Sequence, residues 1–250
     1  MKKAKTQKND SNIYKGFIMP GGPEDCKRKW EQNSEVYKRC RQSRETLNLF
    51  ADGFSELLKE IGELPIRRSS EIKSSPIGLG CEVLDRDVYD FSRALPVLRD
   101  SGVKWARLQS GWNKTEKQDN QFDFQWLDNI IDPIREAGIE PWLRISYGNA
   151  IHTPDPHPVR GYIRNVSLHY GPKAVTAWVR YVHALAKHYK GRVRYFEVWN
   201  EPNQGFWNMR FGARYAREYV ELVRLTAQAV KAEIPDAVMI GGAISAAYPC

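Results

Sequence analysis

The sequence predicts an α/β protein whose parallel sheet is built from repeated strand–helix units, either closed as a barrel or open and doubly wound. Strand-like and helix-like stretches alternate from residue 77 onward, without hairpin signals between them. No GxGxxG turn follows the first strand, which disfavours a dinucleotide-binding sheet. Strand starts at Ile77, Val103, Glu140, Arg194 and Val238 give intervals of 26, 37, 54 and 44 residues. At that spacing an eight-unit barrel needs on the order of 100 residues more than the chain supplies.

The N-terminal part, residues 1–75, reads as a basic, partly helical extension and linker. Leu47, Phe50, Phe54, Leu57, Leu58 and Ile61 recur at three- and four-residue steps, the signature of an amphipathic helix. Gly62, Pro65, Arg67-Arg68, Ser69-Ser70 and Ser74-Ser75-Pro76 then form a polar connection, which puts the boundary near residue 75 and the main domain at 76–250.

Ile77 to Cys81 is a short apolar strand. A helix from about Asp87 to Ser101 follows, closed by Gly102, whose lack of Cβ suits a left-handed helix end. Val103 to Gln109 is the second strand. Phe124 to Ala137 is a helix with Trp126, Leu127, Ile130, Ile131 and Ile134 on its buried side, and Gly138 stops it. Glu140 to Ser146 is the third strand, and after a long loop Lys173 to Lys190 is a helix. Arg194 to Asn200, Ala213 to Glu233 and Val238 to Ile240 complete the order as strand, helix and fifth strand.

The formal charge of +8 does not point to nucleic acid, because five of the eight excess charges fall in the first 75 residues, where a solvated basic tail accounts for them. Cys26, Cys40, Cys81 and Cys250 make no CxxC pair, so neither a zinc site nor a disulfide framework is expected. No apolar run reaches signal-peptide or membrane-span length, so a cytoplasmic protein without a membrane span is expected, its oligomeric state open.

Breaking a glycosidic bond needs an acid for the leaving oxygen and a second carboxylate as nucleophile or base. Parallel barrels hold such groups at the C-terminal ends of strands. Glu201 stands at such an end, in Trp199-Asn200-Glu201-Pro202. Alternation along the strand turns Phe196 and Val198 toward the helices and Glu197, Trp199 and, if the direction persists, Glu201 inward. Arg107 and Arg144 share the inward parity of Trp105 and Trp142, so both can approach Glu197 as a buried ion-pair cluster.

Phe196-Glu197-Val198-Trp199-Asn200-Glu201-Pro202-Asn203, followed by Phe206-Trp207, resembles the fourth-strand motif of clan A glycoside hydrolases, above all glycoside hydrolase family 39. Gly102-Val103-Lys104-Trp105-Ala106-Arg107 with Trp112, and Phe122-Asp123-Phe124-Gln125-Trp126-Leu127-Asp128, are similar to that family's second strand and following helix. The resemblance runs from about Ile77 to Ser245. It implies a (β/α)8 TIM barrel, incomplete at about five βα units, and a retaining glycoside hydrolase with Glu201 as acid/base. It also implies that Asn200 hydrogen-bonds the sugar hydroxyl beside the anomeric carbon, that Arg107 supports the nucleophile, and that the nucleophile is a seventh-strand glutamate missing from this chain. Glu197 is no substitute, since four residues of strand place it about 13 Å from Glu201, against the roughly 5 Å that retention requires.

Trp112 and Trp207 lie on the loop side, where aromatic faces suit sugar C–H surfaces. Asn149, two residues after Tyr147, is a candidate sugar contact. The loop from Gly148 to Gly171 is long enough to be functional and is expected to overhang the site. His152 and His157 in it could pair on a metal, but no carboxylate–histidine spacing supports one, so neither metal nor cofactor is expected. The expected partner is a carbohydrate substrate. The alternative is a noncatalytic carbohydrate-binding or interaction half-barrel.

Overall fold

The computed structural model describes residues 67–203, 207 and 214–245. The chain divides between Pro65 and Ile66. The expected amphipathic helix at 47–61 lies outside the described residues.

Five parallel strands form one sheet: β1 (Gly78–Cys81), β2 (Trp105–Gln109), β5 (Glu140–Ile145), β6 (Tyr195–Val198) and β7 (Val238–Ile240), paired in that order. Each pairs in parallel with the next, with Gly80 beside Arg107, Arg107 beside Trp142 and Arg144 beside Glu197. The crossovers are helices α1 (Phe91–Asp100), α3 (Gln125–Glu136), α4 (Pro172–Tyr189) and α5 (Arg214–Glu233). This is the curved start of a strand–helix barrel, with its core between the outer sheet face and the helices. Ala106, Leu108, Leu143, Ile145, Phe196 and Val198 meet Leu127, Ile131, Ile134, Trp178, Val182 and Leu185 there, all buried. The alternate residues Trp105, Trp142 and Tyr195 turn to the concave face, around a cavity of ≈ 540 Å³ that Leu79 and Ile240 also line.

Local chemistry sets the element ends. Helix α1 starts four residues later than the periodicity suggests because Asp90 caps it, its carboxylate accepting from Ser92 N at 2.9 Å. Gly102 and Gly138 end α1 and α3 with φ of +72° and +74°. A Cβ at Gly102 would lie 2.7 Å from Ile72, and one at Gly138 2.9 Å from Ser70. Residues 69–72, read from the sequence as part of a connection, are thus pressed against the ends of both helices. The Ser69 hydroxyl donates to Leu98 O at 3.0 Å, Lys104 Nζ donates to Ser69 O at 2.9 Å, and the Trp105 indole donates to Ser75 O at 3.0 Å.

One element contradicts the expected absence of hairpins. After a short helix α2 (Trp112–Thr115), strands β3 (Glu116–Gln118) and β4 (Gln121–Phe122) pair antiparallel. Asp119-Asn120 makes the turn, with Asn120 at φ +61°, a conformation asparagine tolerates better than most residues. Strands of three and two residues are too short to show alternation.

A second correction concerns β6, whose direction does not persist beyond Val198. Trp199 and Glu201 both adopt positive φ, +63° and +46°, so the backbone turns out of the sheet and the inward/outward alternation ends. Trp199 does not line the concave face beside Glu201. It is fully buried, packed at 5.4 Å from Tyr147, 5.4 Å from Trp207 and 6.2 Å from Trp178.

Candidate active site at the strand ends

The C-terminal ends of β1, β2, β5 and β6 gather a network of charges. Glu197, nearly sealed, receives Arg107 in a fork, Nε to Oε2 at 2.6 Å and Nη2 to Oε1 at 2.9 Å. The third arm of Arg107, Nη1, donates to Glu82 Oε1 at 2.5 Å. Arg144 donates from Nη2 to Glu82 Oε2 at 2.6 Å and lies 3.4 Å from the Tyr147 hydroxyl. Two guanidiniums therefore balance two carboxylates. Burial pulls the Arg107 pKa down, but the Glu197 and Glu82 contacts outweigh it and hold the value above the ordinary arginine range. Arg144 is more deeply enclosed and burial wins, lowering its pKa.

Asn200 joins this network through its amide oxygen, which accepts from Arg107 Nη2 at 3.2 Å and from Arg144 Nη1. The turn at Trp199 makes this possible, because it swings Asn200 into the mouth that strand alternation would have assigned to its neighbour. Glu201, half-buried, follows on a peptide fixed from β7: its N–H donates to Ala243 O at 2.9 Å. Two residues on, Asn203 and Ser245 exchange hydrogen bonds of 2.9 and 3.0 Å. From α5 the Tyr219 hydroxyl donates to Val198 O at 3.0 Å and accepts from Gly242 N at 2.8 Å, joining the ends of β6 and β7.

Arg107 and Asn200 thus come together by a hydrogen bond, with Glu201 next in the chain. Three other candidates do not. Trp112 is 0% exposed, sandwiched between His152 at 5.5 Å and Tyr181 at 5.5 Å with nearly parallel rings. Both faces are covered, leaving none for a sugar. Trp207 is 2% exposed and packs edge-on against Trp199, His169 and Tyr219, its indole donating to Glu218 at 3.2 Å. Asn149 is fully buried; its amide donates to Glu116 O at 2.8 Å and its oxygen accepts from Ile151 N at 2.8 Å. It organises the loop rather than reaching substrate.

The centre of that region is Glu116, also fully buried. Its Oε2 accepts from the Trp112 indole at 2.6 Å; its Oε1 accepts from Asn120 N at 2.7 Å and Arg180 Nη2 at 3.1 Å, with His152 Nε2 also at 3.1 Å. Glu116, Asp119 and His152 offer ligand atoms within 4.8 Å of one another, but the Arg180 guanidinium, bonded to both carboxylates, already supplies the cation. His157, the other half of the imagined metal pair, lies exposed on the loop.

Glu82 was missed. It sits directly after β1, at the same kind of strand end that singles out Glu201, and that position was the available signal.

Fold and mouth together define the class: the opening units of a parallel strand–helix barrel, with acidic, amide and guanidinium groups collected at the C-terminal strand ends as in barrel enzymes. The chain belongs to the family described as glycosyl hydrolases family 39, whose profile matches residues 81–249. It is 31% identical over 175 residues to a beta-xylosidase of Caldicellulosiruptor saccharolyticus, covering 63% of this chain and 34% of that protein. A beta-xylosidase of Geobacillus stearothermophilus is 28% identical over 129 residues, covering 48% of this chain and 24% of that one. Among solved structures, a family 39 beta-xylosidase from Caulobacter crescentus superposes with a TM-score of 0.52 at 22% identity, covering 73% of this chain and 43% of the other. The chain spans about a third of the length of the first of these relatives. Among the described residues no helix is long and apolar enough to cross a membrane.

Proposed function

We propose that this chain carries the acid/base half of a retaining glycosidase acting on β-xylosides or related oligosaccharides, with Glu201 as acid/base. The observation that carries the reading is the hydrogen bond between Arg107 and Asn200 at the strand ends, with Glu201 the next residue in the chain. In the first step Glu201 protonates the departing glycosidic oxygen as a carboxylate forms a bond to the anomeric carbon. In the second, Glu201 takes a proton from the water that releases the sugar. The attacking carboxylate is proposed to come from outside the described residues. Glu197 is forked by Arg107, and each oxygen of Glu82 is bound by a guanidinium. The xyloside preference rests on the names of the relatives.

The test is a chimera joining residues 67–245 to the C-terminal barrel half of the Caldicellulosiruptor enzyme, assayed on 4-nitrophenyl β-D-xyloside. Turnover is expected to fall at least about 100-fold in Glu201→Gln, the lower end for loss of a positioned general acid. A folded chimera that works equally well with the glutamine defeats the assignment. The 250-residue chain alone is expected to leave the substrate intact; turnover that vanishes in Glu201→Ala would show that a nucleophile is already present.

A further inference from the structure

The two guanidiniums do more than neutralise carboxylates. Arginine carries donors and no acceptor, so an amide touched by two of them must turn its oxygen to both. Asn200 is in that position: Oδ1 faces Arg107 Nη2 and Arg144 Nη1. Its NH2 group is thereby directed the other way, and among the described residues no acceptor takes it. Arg107 has an independent reason to be there, the fork to Glu197. Arg144 has no comparable one. Its side chain is 1% exposed, its Nε finds no partner, and its two Nη atoms are spent on Asn200, Glu82 and a long contact to Tyr147. A guanidinium buried with one donor unmatched is unfavourable unless its remaining contacts fix something.

We propose that Arg144, held in place by Glu82, is a positioning residue that locks the Asn200 amide with its NH2 toward the substrate, making this point of the site a donor only. The inference rests on the glycosidase reading for the identity of the ligand. A sugar oxygen beside the anomeric carbon offers the required lone pair. A protonated amine at that carbon offers none, and it would meet two guanidiniums just behind the amide.

The lock is read by NMR on the 15N-labelled chain, without sugar and without turnover. The Asn200 side-chain amide pair is identified by its loss in Asn200→Asp. The wild-type pair is expected to be rigid, with a strong 1H–15N NOE and two well-separated proton shifts. In Arg144→Met the NOE should be lost and the two protons should move toward free-asparagine positions, while backbone signals of β2, β5 and β6 stay in place. Arg144→Lys should restore the pair in part. Should Arg144→Met not fold, Glu82→Gln carries the test, because it weakens the hold on Nη2 and should loosen the same pair. An Asn200 pair unchanged in a folded Arg144→Met or Glu82→Gln protein overturns the proposal. Because no turnover is needed, failure of the lock and failure of the glycosidase reading are separable.

Discussion

Two buried glutamates, Glu197 and Glu116, follow or sit in short strands, and each is ringed by donors, yet they differ in what is left over. Around Glu116 the partners turn inward: Trp112, Asn120, His152 and Arg180 converge on one carboxylate, and the donor left over, Arg180 Nε, is buried. Around Glu197 the network ends in Asn200, whose amide oxygen is bound and whose nitrogen is open. The first cluster closes on itself and organises the β3–β4 hairpin and its loop. The second runs out at the mouth beside Glu201. A buried charge cluster reads as structural when whatever it leaves over stays buried, and as a candidate site when one valence points outward.

Substitutions can break this contrast. The largest expected loss of stability is at the closed cluster: Glu116→Ala takes the acceptor from the buried Trp112 indole and from Asn120 N and leaves Arg180 and His152 with Asp119 alone, and should cost about 3–5 kcal/mol, read by chemical denaturation. A loss below about 1 kcal/mol, the range of an exposed pair, would mean that the cluster is not sealed. Trp112→Phe removes one hydrogen bond to a charged acceptor while keeping much of the ring packing, and should cost about 1.5–3 kcal/mol without changing sugar affinity. A drop in sugar affinity at unchanged stability would return Trp112 to the site. Asn200→Ala should cost about 1 kcal/mol or less, since both guanidiniums keep carboxylate partners, while sugar binding or turnover in the chimera falls. An Asn200→Ala protein that melts far lower and binds sugar normally would reverse the contrast.

The smallest effect belongs to a surface tie with no part in either cluster. Asp128 of α3 accepts from Arg192 at 2.8 Å and lies 2.9 Å from His188 Nε2. Burial alone would raise its pKa, but the contacts with His188 and Arg192 outweigh that and lower it. A carboxylate whose folded pKa is depressed contributes stability above its unfolded pKa, about 3.9, and loses it as pH falls through the folded value. Asp128→Asn should therefore melt lower than wild type near neutrality, with the two melting curves converging in acid. A deficit that persists unchanged well below pH 3.9, or so, would assign it to packing instead.

The alternation of strand and helix was legible because long amphipathic helices and apolar strands repeat their signals over many residues. The hairpin was not, since its strands are short and only Asp119-Asn120 marks the turn. At the site, Glu201 could be read from strand-end position, the neighbourhood of Arg107, Arg144 and Glu197 from parity, and Asn200 only from the family resemblance. Parity failed at Trp199 because two residues with positive φ are invisible to a rule that assumes extended backbone. Trp112 and Trp207 misled for another reason: sequence shows that an aromatic lies near the mouth, but not that its faces are taken by His152, Tyr181 or Trp199. Glu82 was overlooked although it satisfies the rule that found Glu201.

The short stretch from Ser69 to Ser75 has a practical consequence for anyone trimming this protein. Its polar, proline-flanked composition invites a cut at residue 76, yet it forms flooring under the barrel. Excision there would take the acceptors away from Lys104 and the Trp105 indole and uncover the ends of α1 and α3. A truncation that begins at residue 67 keeps those seals, so two versions differing by nine residues should differ in solubility and in the solvent exposure of Trp105, visible as a red shift in its fluorescence.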